Sequence, residues 1–421
     1  MDRYESYKDS GEQWLGEIPS HWELIRGKAL YSENKCKNKE SKENIVLSLS
    51  YGNIVLKPNT IDGLVPEKYD SYQIVEPNYI IVRCTDLQND KVSLRTAVSD
   101  YHGIITSAYL GLIPNCKIVP KYLHYYLRAW DECKEMYRYG SGLRQSLSWV
   151  DFKYLNVALP TKDEQNRMIE YLDDATSKID EAIAQQQKMI DLLNERKQII
   201  INNAVTKGLN PDIPMKDSGV DWIGEIPEHW VIKKLKYVCS FNDEVLSETT
   251  GNIKIKYVEI GDVDFHEGIT NHTEYAFIDA PSRARRITRV NDVIISTVRT
   301  YLKAIAKIEE DNLVVSTGFA VLRAKEINSS YLSYALMNES FVSEVLASST
   351  GVSYPAITAS SLSSIPIAIP PIEEQIVISN YLFQKCSIIN SNINIHKQQI
   401  LLLQERKQII INEVVTGKVK V

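Results

Sequence analysis

Arginine-rich stretches, with tyrosine, serine, threonine and glutamine beside them, are the parts of this sequence whose residue types could do chemistry. YRYGSGLRQS occupies residues 137–146, and SRARRITR and STVRTYLK occupy residues 282–289 and 296–303. Arginine can bind a phosphate or take the edge of a guanine with two parallel hydrogen bonds, and glutamine suits adenine. Glycine lets the backbone approach a phosphate closely. These residue types indicate binding of nucleic acid.

The candidate DNA-binding residues form one set in each half of the chain. SSTGVSY at 348–354 occupies the place in the second half that YGSGLRQ occupies in the first. For any single residue, a solvated surface charge or an ordinary turn is the alternative, but paired clusters at corresponding places favour DNA. The predicted set is Arg83, Thr85, Arg95, Arg138, Tyr139, Ser141, Arg144 and Gln145 in the first half, and Arg283, Arg285, Arg286, Arg299, Thr300, Tyr301, Lys303, Ser353 and Tyr354 in the second.

Signatures of catalysis are missing from the sequence. There is no GxxxxGK[ST] loop, no GxGxxG after a strand and no HExxH. The six cysteines form no CxxC pair, so we expect no metal site. The nearest approach to a metal-dependent nuclease is NPDIPMKD at 210–217, which lies in a proline-rich linker. We therefore predict a protein that is not an enzyme and holds no cofactor.

Charge and hydropathy limit where and how the protein could bind nucleic acid. The formal net charge is −6, which is not the basic balance that a lone nucleic-acid-binding domain usually shows. Affinity must then come from local clusters, or from a partner that neutralises phosphates. No signal peptide is recognisable and no 18-residue apolar run exists. We expect a reduced, cytoplasmic location.

The chain contains two copies of one plan. Residues 8–22 and 216–230 share the phrase W-[LI]-G-E-I-P-x-H-W, with 11 of 15 positions identical. An EQ dipeptide follows at 164–165 and 374–375, and ERKQIIIN appears at 195–202 and again at 405–412. A period near 210 residues is far longer than a solenoid unit. The sequence therefore predicts a duplicated domain, each copy followed by a helix.

Each EQ dipeptide opens a long helical pattern. No glycine or proline interrupts residues 163–206, Thr161 can cap that helix, and Glu164 follows three residues later as in a capping box. Apolar residues fill most a and d positions of a heptad repeat in both copies, which is typical of a coiled coil. Duplication about a pseudo-twofold favours an antiparallel pair. Met189 and Ile199 lie outside the seam and leave a surface for a partner's helices.

The blocks between the repeated phrases differ from each other in sequence. They mix β-rich runs such as NIVLSLSYGNIVL and DVIISTV with short helical patterns such as YLHYYLRAW. The expected fold class is α+β, with two mixed α/β domains joined by a long antiparallel coiled coil of two helices. We interpret the repeated phrase as a hydrophobic clasp at the entry of each domain, with contact to DNA or to a partner as the alternative. Its residues are Trp14, Ile18, Pro19 and Trp22, then Trp222, Ile226, Pro227 and Trp230.

Over its whole length the chain resembles the specificity (S) subunits of type I restriction–modification systems. The resemblance is carried by the two W-[LI]-G-E-I-P-x-H-W phrases, by the two EQ dipeptides after ALP and IAIPP, and by the two ERKQIIIN segments. It implies a target-recognition domain at 1–160, a coiled-coil helix at 161–208, a linker with a second recognition domain at 209–370, and a second helix at 371–421. Each domain would read one half of a bipartite DNA site.

The resemblance also implies partners. Two methyltransferase subunits would bind the repeats and methylate adenine N6 with S-adenosylmethionine, and translocase–nuclease subunits using ATP and Mg would join for restriction; no membrane is involved. The recognition subunit of a related bipartite enzyme, whose one partner chain both cleaves and methylates, is an alternative. A coiled-coil adaptor that binds no DNA is another, although it would favour two similar domains. The second copy departs from the first at the glycine turn, where Ser353-Tyr354-Pro355 stands in place of Arg144-Gln145.

Overall fold

The computed structural model describes residues 2–57, 68–247, 251 and 253–421. The chain divides into two compact units. Unit 1 comprises residues 1–186 and 398–421, and unit 2 comprises residues 187–397. Each unit therefore contains one variable block and a part of both long helices.

Unit 1 contains twelve described strands, two shorter helices and one end of each long helix. Its elements are β1 (Tyr7–Asp9), β2 (Glu17–Pro19), β3 (Glu23–Arg26), β4 (Tyr31–Glu33), β5 (Leu47–Ser50), β6 (Asn53–Leu56), β7 (Gln73–Val75), β8 (Ile80–Arg83), β9 (Thr96–Val98), β10 (Gly103–Ile105), β11 (Tyr109–Pro114), α1 (Pro120–Glu132), α2 (Trp149–Tyr154), β12 (Asn156–Leu159) and the start of α3 (Lys162–Lys207).

Unit 2 begins within α3 and ends within the second long helix. Its further elements are β13 (Met215–Asp217), β14 (Glu225–Pro227), β15 (Val231–Lys234), β16 (Cys239–Phe241), β17 (Lys254–Val258), β18 (Val263–Asp264), β19 (Gly268–Ile269), β20 (Thr273–Ala276), β21 (Ala284–Ile287), β22 (Val293–Ser296), β23 (Ile305–Lys307), β24 (Leu313–Ser316), β25 (Phe319–Ala324), α4 (Ser329–Leu336), α5 (Glu339–Ala347), α6 (Ala359–Ser364), β26 (Pro366–Ile369) and α7 (Ile372–Val415).

One four-stranded antiparallel sheet recurs in both units. Its order is β4-β11-β8-β9 in unit 1 and β16-β25-β22-β23 in unit 2. The strand that enters each block pairs with the strand before the EQ dipeptide, as β3 with β12 and β15 with β26. Unit 2 adds a second sheet, β20-β17-β24-β21, in which β17 and β24 run parallel. The predicted α+β class with two mixed domains is confirmed.

Within each unit the two long helices run antiparallel. In unit 1, Met168 and Leu172 of α3 share a core with Ile411 and Val414 of α7, and Lys407 Nζ binds the carboxylate of Asp180 at 2.6 Å, further along α3. In unit 2, Ile201 and Val205 share a core with Ile378 and Leu382, while Lys197 Nζ lies 2.9 Å from Asn390 Oδ1. The predicted antiparallel helix pair is therefore present in both units.

The end of each long helix is built into the core that holds the opening phrase of the other repeat. Trp22 is fully buried in unit 1 in one cluster with Val414 and Val415, and Trp230 is fully buried in unit 2 in one cluster with Ala204 and Val205. Ile18 and Ile226 are fully buried too, and Pro19 and Pro227 are buried. Trp14 and Trp222 are partly buried at the edge of the same clusters. The predicted clasp is therefore confirmed as a hydrophobic core.

A glycine after each helix permits this packing. Gly417 has φ +72°, and a Cβ there would lie 2.4 Å from Pro19 Cδ and 3.0 Å from Trp22 Cη2. Gly208 has φ +74°, and a Cβ there would lie 3.3 Å from Trp230 Cζ2. A side chain at either position would strain the backbone, and at Gly417 it would also collide with Pro19, whereas at Gly208 it would be in tight contact with Trp230. The two glycines thus end the helices and seat the clasp tryptophans.

The EQ dipeptide joins three parts of each unit. His21 Nε2 hydrogen-bonds Glu164 Oε1 at 2.8 Å, and His229 Nε2 hydrogen-bonds Glu374 Oε2 at the same distance. Glu164 also accepts the N–H of Thr161 at 3.0 Å, which completes the predicted capping box. The histidine of each opening phrase is therefore held by the glutamate at the start of a long helix.

The glutamine of each dipeptide ties the helix to the block before it. The side-chain oxygen of Gln165 accepts the N–H of Val119, at the start of α1, while its amide donates to Pro160 O. Gln375 does the same with Asn328, at the start of α4, and with Pro370. Both glutamines are almost fully buried, so the two bonds offset the cost of burying the amide. The glutamine thus connects the start of each long helix to the start of α1 or α4.

We expect Glu164→Gln to remove part of the acid sensitivity of unit 1. Burial raises the pKa of Glu164, but hydrogen bonds from His21 and Thr161 outweigh it and hold that pKa below its usual value of 4.5. A carboxyl group with a lowered pKa stabilises the fold fully above about pH 4.5 and loses this contribution as the pH falls through the folded-state pKa. The melting temperature, followed from pH 6 to about pH 3, should fall less steeply in the variant, with the difference appearing below about pH 4.5.

The matched control is Glu170→Gln, at an exposed position on the same helix. This variant should follow the wild-type pH profile of thermal unfolding. Identical profiles for Glu164→Gln and wild type would mean that the bond between Glu164 and His21 contributes nothing to the stability of unit 1.

Candidate nucleic-acid interface

The predicted DNA-binding residues lie mainly on two loops that recur in both units. We call residues 84–95 and 297–304 the strand-end loops, because they follow β8 and β22 of the recurring sheet. We call residues 141–146 and 350–356 the tip loops. Each tip loop precedes a short helix and then the strand that leads to the EQ dipeptide. The two loops therefore occupy corresponding places in both units.

The same backbone hydrogen bonds close both tip loops. Ser141 and Ser146 exchange two N–H···O bonds of 3.1 and 2.9 Å, and Thr350 and Ala356 exchange two of 2.9 Å. The loop in unit 2 holds one residue more between its closing pair. The departure noted in the sequence, Ser353-Tyr354-Pro355 for Arg144-Gln145, therefore changes the side chains but keeps the closed loop.

The tip loop and strand-end loop are joined in the same way in both units. In unit 1, Leu147 N donates to Cys84 O at 2.9 Å and Leu87 N donates to Gln145 O at 3.1 Å. In unit 2, Ile357 N donates to Thr297 O at 2.9 Å and Thr300 N donates to Pro355 O at 3.3 Å. The two units thus present one loop frame with different side chains on it.

In unit 1, Arg144 is the predicted arginine most available to a ligand. It lies exposed on the tip loop and has no hydrogen bond or ion pair with any residue that the structure describes. Arg83 pairs with Asp90 at 3.1 Å, and Arg138 pairs with Glu135 and Gln13 at 3.2 Å. A phosphate would have to compete with those partners.

Arg95 is a correction to the predicted set. Its side chain is fully buried, and its guanidinium donates to the carbonyl oxygens of Arg83 and Thr85 at 3.2 and 2.8 Å, and also to those of Asp86 and Asp90. Its Nε donates to Tyr137 Oη at 3.1 Å. With its donors used inside the protein, Arg95 holds the strand-end loop in shape and does not reach a ligand.

The remaining predicted residues of unit 1 divide between exposed and structural positions. The side-chain amide of Gln145 donates to the carbonyl oxygens of Tyr137 and Tyr139 at 2.6 and 2.8 Å, so it braces the tip loop and is not free to read adenine. Tyr139 is 38% exposed with its ring against Trp130, Ser141 is exposed, and Thr85 is partly buried on the strand-end loop.

In unit 2, three predicted residues meet in one cleft. Arg283, Arg299 and Tyr354 line a cleft of about 490 Å³ together with Thr317 and Gly318. The guanidinium of Arg299 lies 5.1 Å from the centre of the Tyr354 ring, a cation–π contact that leaves its N–H groups for a ligand. Arg299 has φ +51°, which is costly for a side-chain-bearing residue and is held by the bonds of the strand-end loop. The cleft suits recognition of a base edge or a phosphate.

The other predicted residues of unit 2 lie around this cleft or away from it. Arg285 stacks on Phe277 at 4.9 Å, and burial lowers the pKa of the half-buried Arg286, whose guanidinium points toward Thr317 O. Thr300 is a second correction, because it is 3% exposed and its hydroxyl bonds Ser349. Tyr301 and Ser353 are exposed, and Lys303 pairs with Glu339 at 3.1 Å.

Two aliphatic residues on the tip loops were not predicted from the sequence. Leu143 is 98% exposed, and Val352 is fully exposed. Each follows a glycine with positive φ, Gly142 at +88° and Gly351 at +106°. The signal available in the sequence was the shared order of a small polar residue, glycine and an aliphatic residue, which appears as SGL and TGV.

Over 2–57, 68–247, 251 and 253–421, no group of three or more His, Cys, Asp or Glu side chains is placed to hold a metal ion. Among the helices of that part of the chain, none combines the length and apolar character that a membrane crossing requires.

Comparison with known proteins connects this architecture to one family. Residues 227–405 match the family described as type I restriction modification DNA specificity domain. A Methanocaldococcus jannaschii protein named as the MjaX type I restriction enzyme specificity subunit is 25% identical, over 97% of this chain and 96% of its own length. The MjaVIII specificity subunit of the same organism is 26% identical, over 76% of this chain and 75% of its own.

A solved structure shares the fold over nearly the whole chain. It was reported for complex assembly and conformational transition of the type I R-M system, and it superposes with a TM-score of 0.67 at 16% identity. The match covers 96% of this chain and 99% of the other. The arrangement of two mixed domains on long helices is therefore a known fold.

Proposed function

We propose that the chain is a specificity subunit of a type I restriction–modification system, a DNA-recognition component without a catalytic role, because residues 227–405 match that family and two specificity subunits are 25% and 26% identical to this chain. We further propose that it reads a bipartite DNA target through its two domains. Unit 1 would read one half of the target and unit 2 the other. It would direct partner subunits, in the cytoplasm, to methylate adenine N6 at that site or to restrict unmethylated DNA.

The observation that carries this proposal is the recurring loop frame. Both units hold a strand-end loop and a tip loop with the same backbone bonds, but the exposed side chains differ: Arg144 in unit 1, and Arg283, Arg299 and Tyr354 in unit 2. A shared frame with different side chains is what two readers of different sequences need, because specificity comes from the groups that meet base edges.

The long helices offer surfaces for the partners. Unit 2 exposes apolar side chains on both helices, and unit 1 exposes further ones on α7. We propose that two methyltransferase subunits bind there, one for each repeat, and that restriction subunits join them. S-adenosylmethionine would then be bound by the methyltransferase, and ATP and Mg by the restriction subunit. The exposed residues are Met189, Leu192, Ile199, Phe383, Ile388 and Ile395 in unit 2, and Leu401, Leu402 and Ile409 in unit 1.

The test is to co-express the chain with its methyltransferase partner and to map methylated adenines across the host genome by single-molecule sequencing. The proposal expects a two-part motif with a fixed gap. Exchange of residues 23–160 for the corresponding block of a relative should change one half of the motif only. A stable complex that methylates nothing, or the same sites after the exchange, would contradict DNA reading and favour the adaptor function.

Single substitutions sharpen this test. We expect Arg144→Ala to weaken binding by about 1–3 kcal/mol if the arginine meets a base, and to relax one position in the half of the motif read by unit 1. Arg299→Ala should act in the same way on the other half. Each variant is the matched control for the other, since both remove one accessible arginine from the same loop frame. Uniform weakening of binding to all sequences would instead indicate a phosphate contact.

A further inference from the structure

Each tip loop displays an aliphatic side chain that contacts almost nothing in the protein. Leu143 is 98% exposed and Val352 fully exposed, and both occupy the second position after the residue that opens the closed loop, Ser141 or Thr350. A single exposed aliphatic residue is common on protein surfaces. Two of them at the corresponding position of two blocks that share little sequence call for a common cause.

Backbone hydrogen bonds hold both tip loops in a closed conformation. The closing bonds of each tip loop, and its two bonds to the neighbouring strand-end loop, fix the backbone on both sides of Leu143 and Val352. In unit 1 a turn bond of 2.9 Å from Gln145 N to Gly142 O tightens the loop further. Much of the entropy cost of ordering the backbone has therefore been met before any ligand arrives.

A residue that carries hydrogen-bond donors follows each aliphatic residue within two positions of the sequence. Arg144, with no partner among the described residues, follows Leu143 directly. Val352 is two residues from Tyr354, which stacks on Arg299 in the cleft of unit 2. In the major groove only thymine combines a methyl group with an adjacent carbonyl acceptor, O4. An aliphatic side chain next to a donor matches that pair.

We propose that Leu143 and Val352 each contact the 5-methyl group of a thymine, one in each half of the DNA target. This inference rests on the proposed function, since it names what two residues of the interface recognise. A wedge inserted between base pairs is the other use of an exposed aliphatic residue, but wedges are large side chains such as Phe, Leu, Ile or Met. Valine at the corresponding position favours contact with a methyl group in both units.

The experiment uses the complex of the full chain with its methyltransferase partner, and duplexes that carry the mapped target. Affinity is measured with each thymine of a half-site, on either strand, replaced in turn by deoxyuridine, which lacks only the methyl group. At one thymine of each half-site the wild-type complex should bind about fourfold more weakly, as expected for the loss of one buried methyl group. Leu143→Ala should weaken binding to the unmodified duplex by a similar factor.

Combining the protein variant with the uracil duplex tests whether the two changes remove the same contact. The affinity of Leu143→Ala should not fall further when the thymine of its own half-site is replaced by uracil. Its affinity should fall as much as that of the wild type when the thymine of the other half-site is replaced. Val352→Ala should show the mirror image. Because both side chains are exposed, neither variant should unfold, and equal melting temperatures would verify this.

Three results would overturn the inference. The first is a half-site that contains no thymine. The second is that the affinity losses caused by the variant and by uracil add up at every thymine. The third is that Leu143→Ala and Val352→Ala bind the target as tightly as the wild type. In each of these the wild-type complex still prefers its target over a scrambled duplex, so the proposed function stands. If the wild-type complex shows no such preference, the proposed function fails and the inference fails with it.

Discussion

Replacement of Trp230 by alanine is expected to destabilise unit 2 by about 3–5 kcal/mol, the usual cost of removing a large aromatic side chain from a core. Trp230 is fully buried, shares a core cluster with Ala204 and Val205 at the end of α3, and donates its Nε1–H to Glu374 Oε2 at 3.1 Å. Its removal leaves a cavity at the place where the opening phrase and the helix end meet. Hydrogen exchange with mass spectrometry should show faster exchange in residues 201–207 and in β15 and β26.

Trp22→Ala is the matched control for this prediction. It should accelerate exchange in β3, β12 and residues 411–415 of unit 1 and leave unit 2 unchanged. Equal protection of unit 2 in wild type and Trp230→Ala would contradict the role of the clasp. Tryptophan-to-phenylalanine variants separate packing from hydrogen bonding: Trp22 Nε1 is buried without a partner among the described residues, so Trp22→Phe should cost less than Trp230→Phe.

The elements that depend on nearby residues could be predicted from the sequence. Helix α3, expected from 163 to 206 with Thr161 as its cap, runs from Lys162 to Lys207, because capping and the absence of Gly and Pro act within a few residues. The burial of Ile18 and Trp22 followed from a phrase that returns with its tryptophan, isoleucine and proline positions unchanged. In both cases local chemistry and repetition carried enough information.

Contacts between distant residues could not be read in this way. His21 and Glu164 are 143 residues apart, and nothing in either segment names the other as its partner. The insertion of Val414 into the core around Trp22 is a contact of the same kind. The second sheet of unit 2 depends on the pairing of β17 with β24. The alternation of apolar and polar residues within a strand does not indicate which other strand it pairs with.

The candidate site shows the same division. Arg144, Arg283, Arg299 and Tyr354 were predicted from residue type and lie exposed or at a cleft. Arg95 was predicted on the same grounds but is buried. Residue type alone does not distinguish an arginine that binds backbone carbonyl oxygens from one that binds DNA. Leu143 and Val352 were missed, since exposure of an aliphatic side chain is visible only once the loop is folded.

The burial of Arg95 leads to the second large effect. Arg95→Met keeps most of the side-chain volume but removes the donors that hold four backbone carbonyl oxygens and Tyr137. Hydrogen bonds from a charged donor contribute about 1.5–3 kcal/mol each, and the loop can recover part of this by opening to water. We expect unit 1 to lose about 3 kcal/mol or more, and amides of residues 84–94 to lose their protection from exchange.

Arg95→Lys should not restore the loop. One ammonium group carries three donors on a flexible stem and cannot replace the planar fork of a guanidinium that serves several carbonyl groups at once. Arg83→Met is the contrasting control, because Arg83 makes a partly exposed ion pair with Asp90, which contributes at most about 1 kcal/mol. If the amides of residues 84–94 exchange at the same rate in Arg95→Met as in the wild type, the loop does not depend on the buried guanidinium.

The loop also links stability to recognition. Leu87 N of the strand-end loop donates to Gln145 O of the tip loop, so opening of residues 84–94 would release the frame that presents Leu143 and Arg144. Arg95→Met should therefore weaken binding to the half-site that we propose for unit 1, although the buried Arg95 side chain is not exposed to a ligand. Binding to the half-site that we propose for unit 2 should be unchanged. The buried Arg95 would then affect specificity through the shape of the loop. Substitution of Arg144, in contrast, should leave the protection of residues 84–94 from hydrogen exchange unchanged.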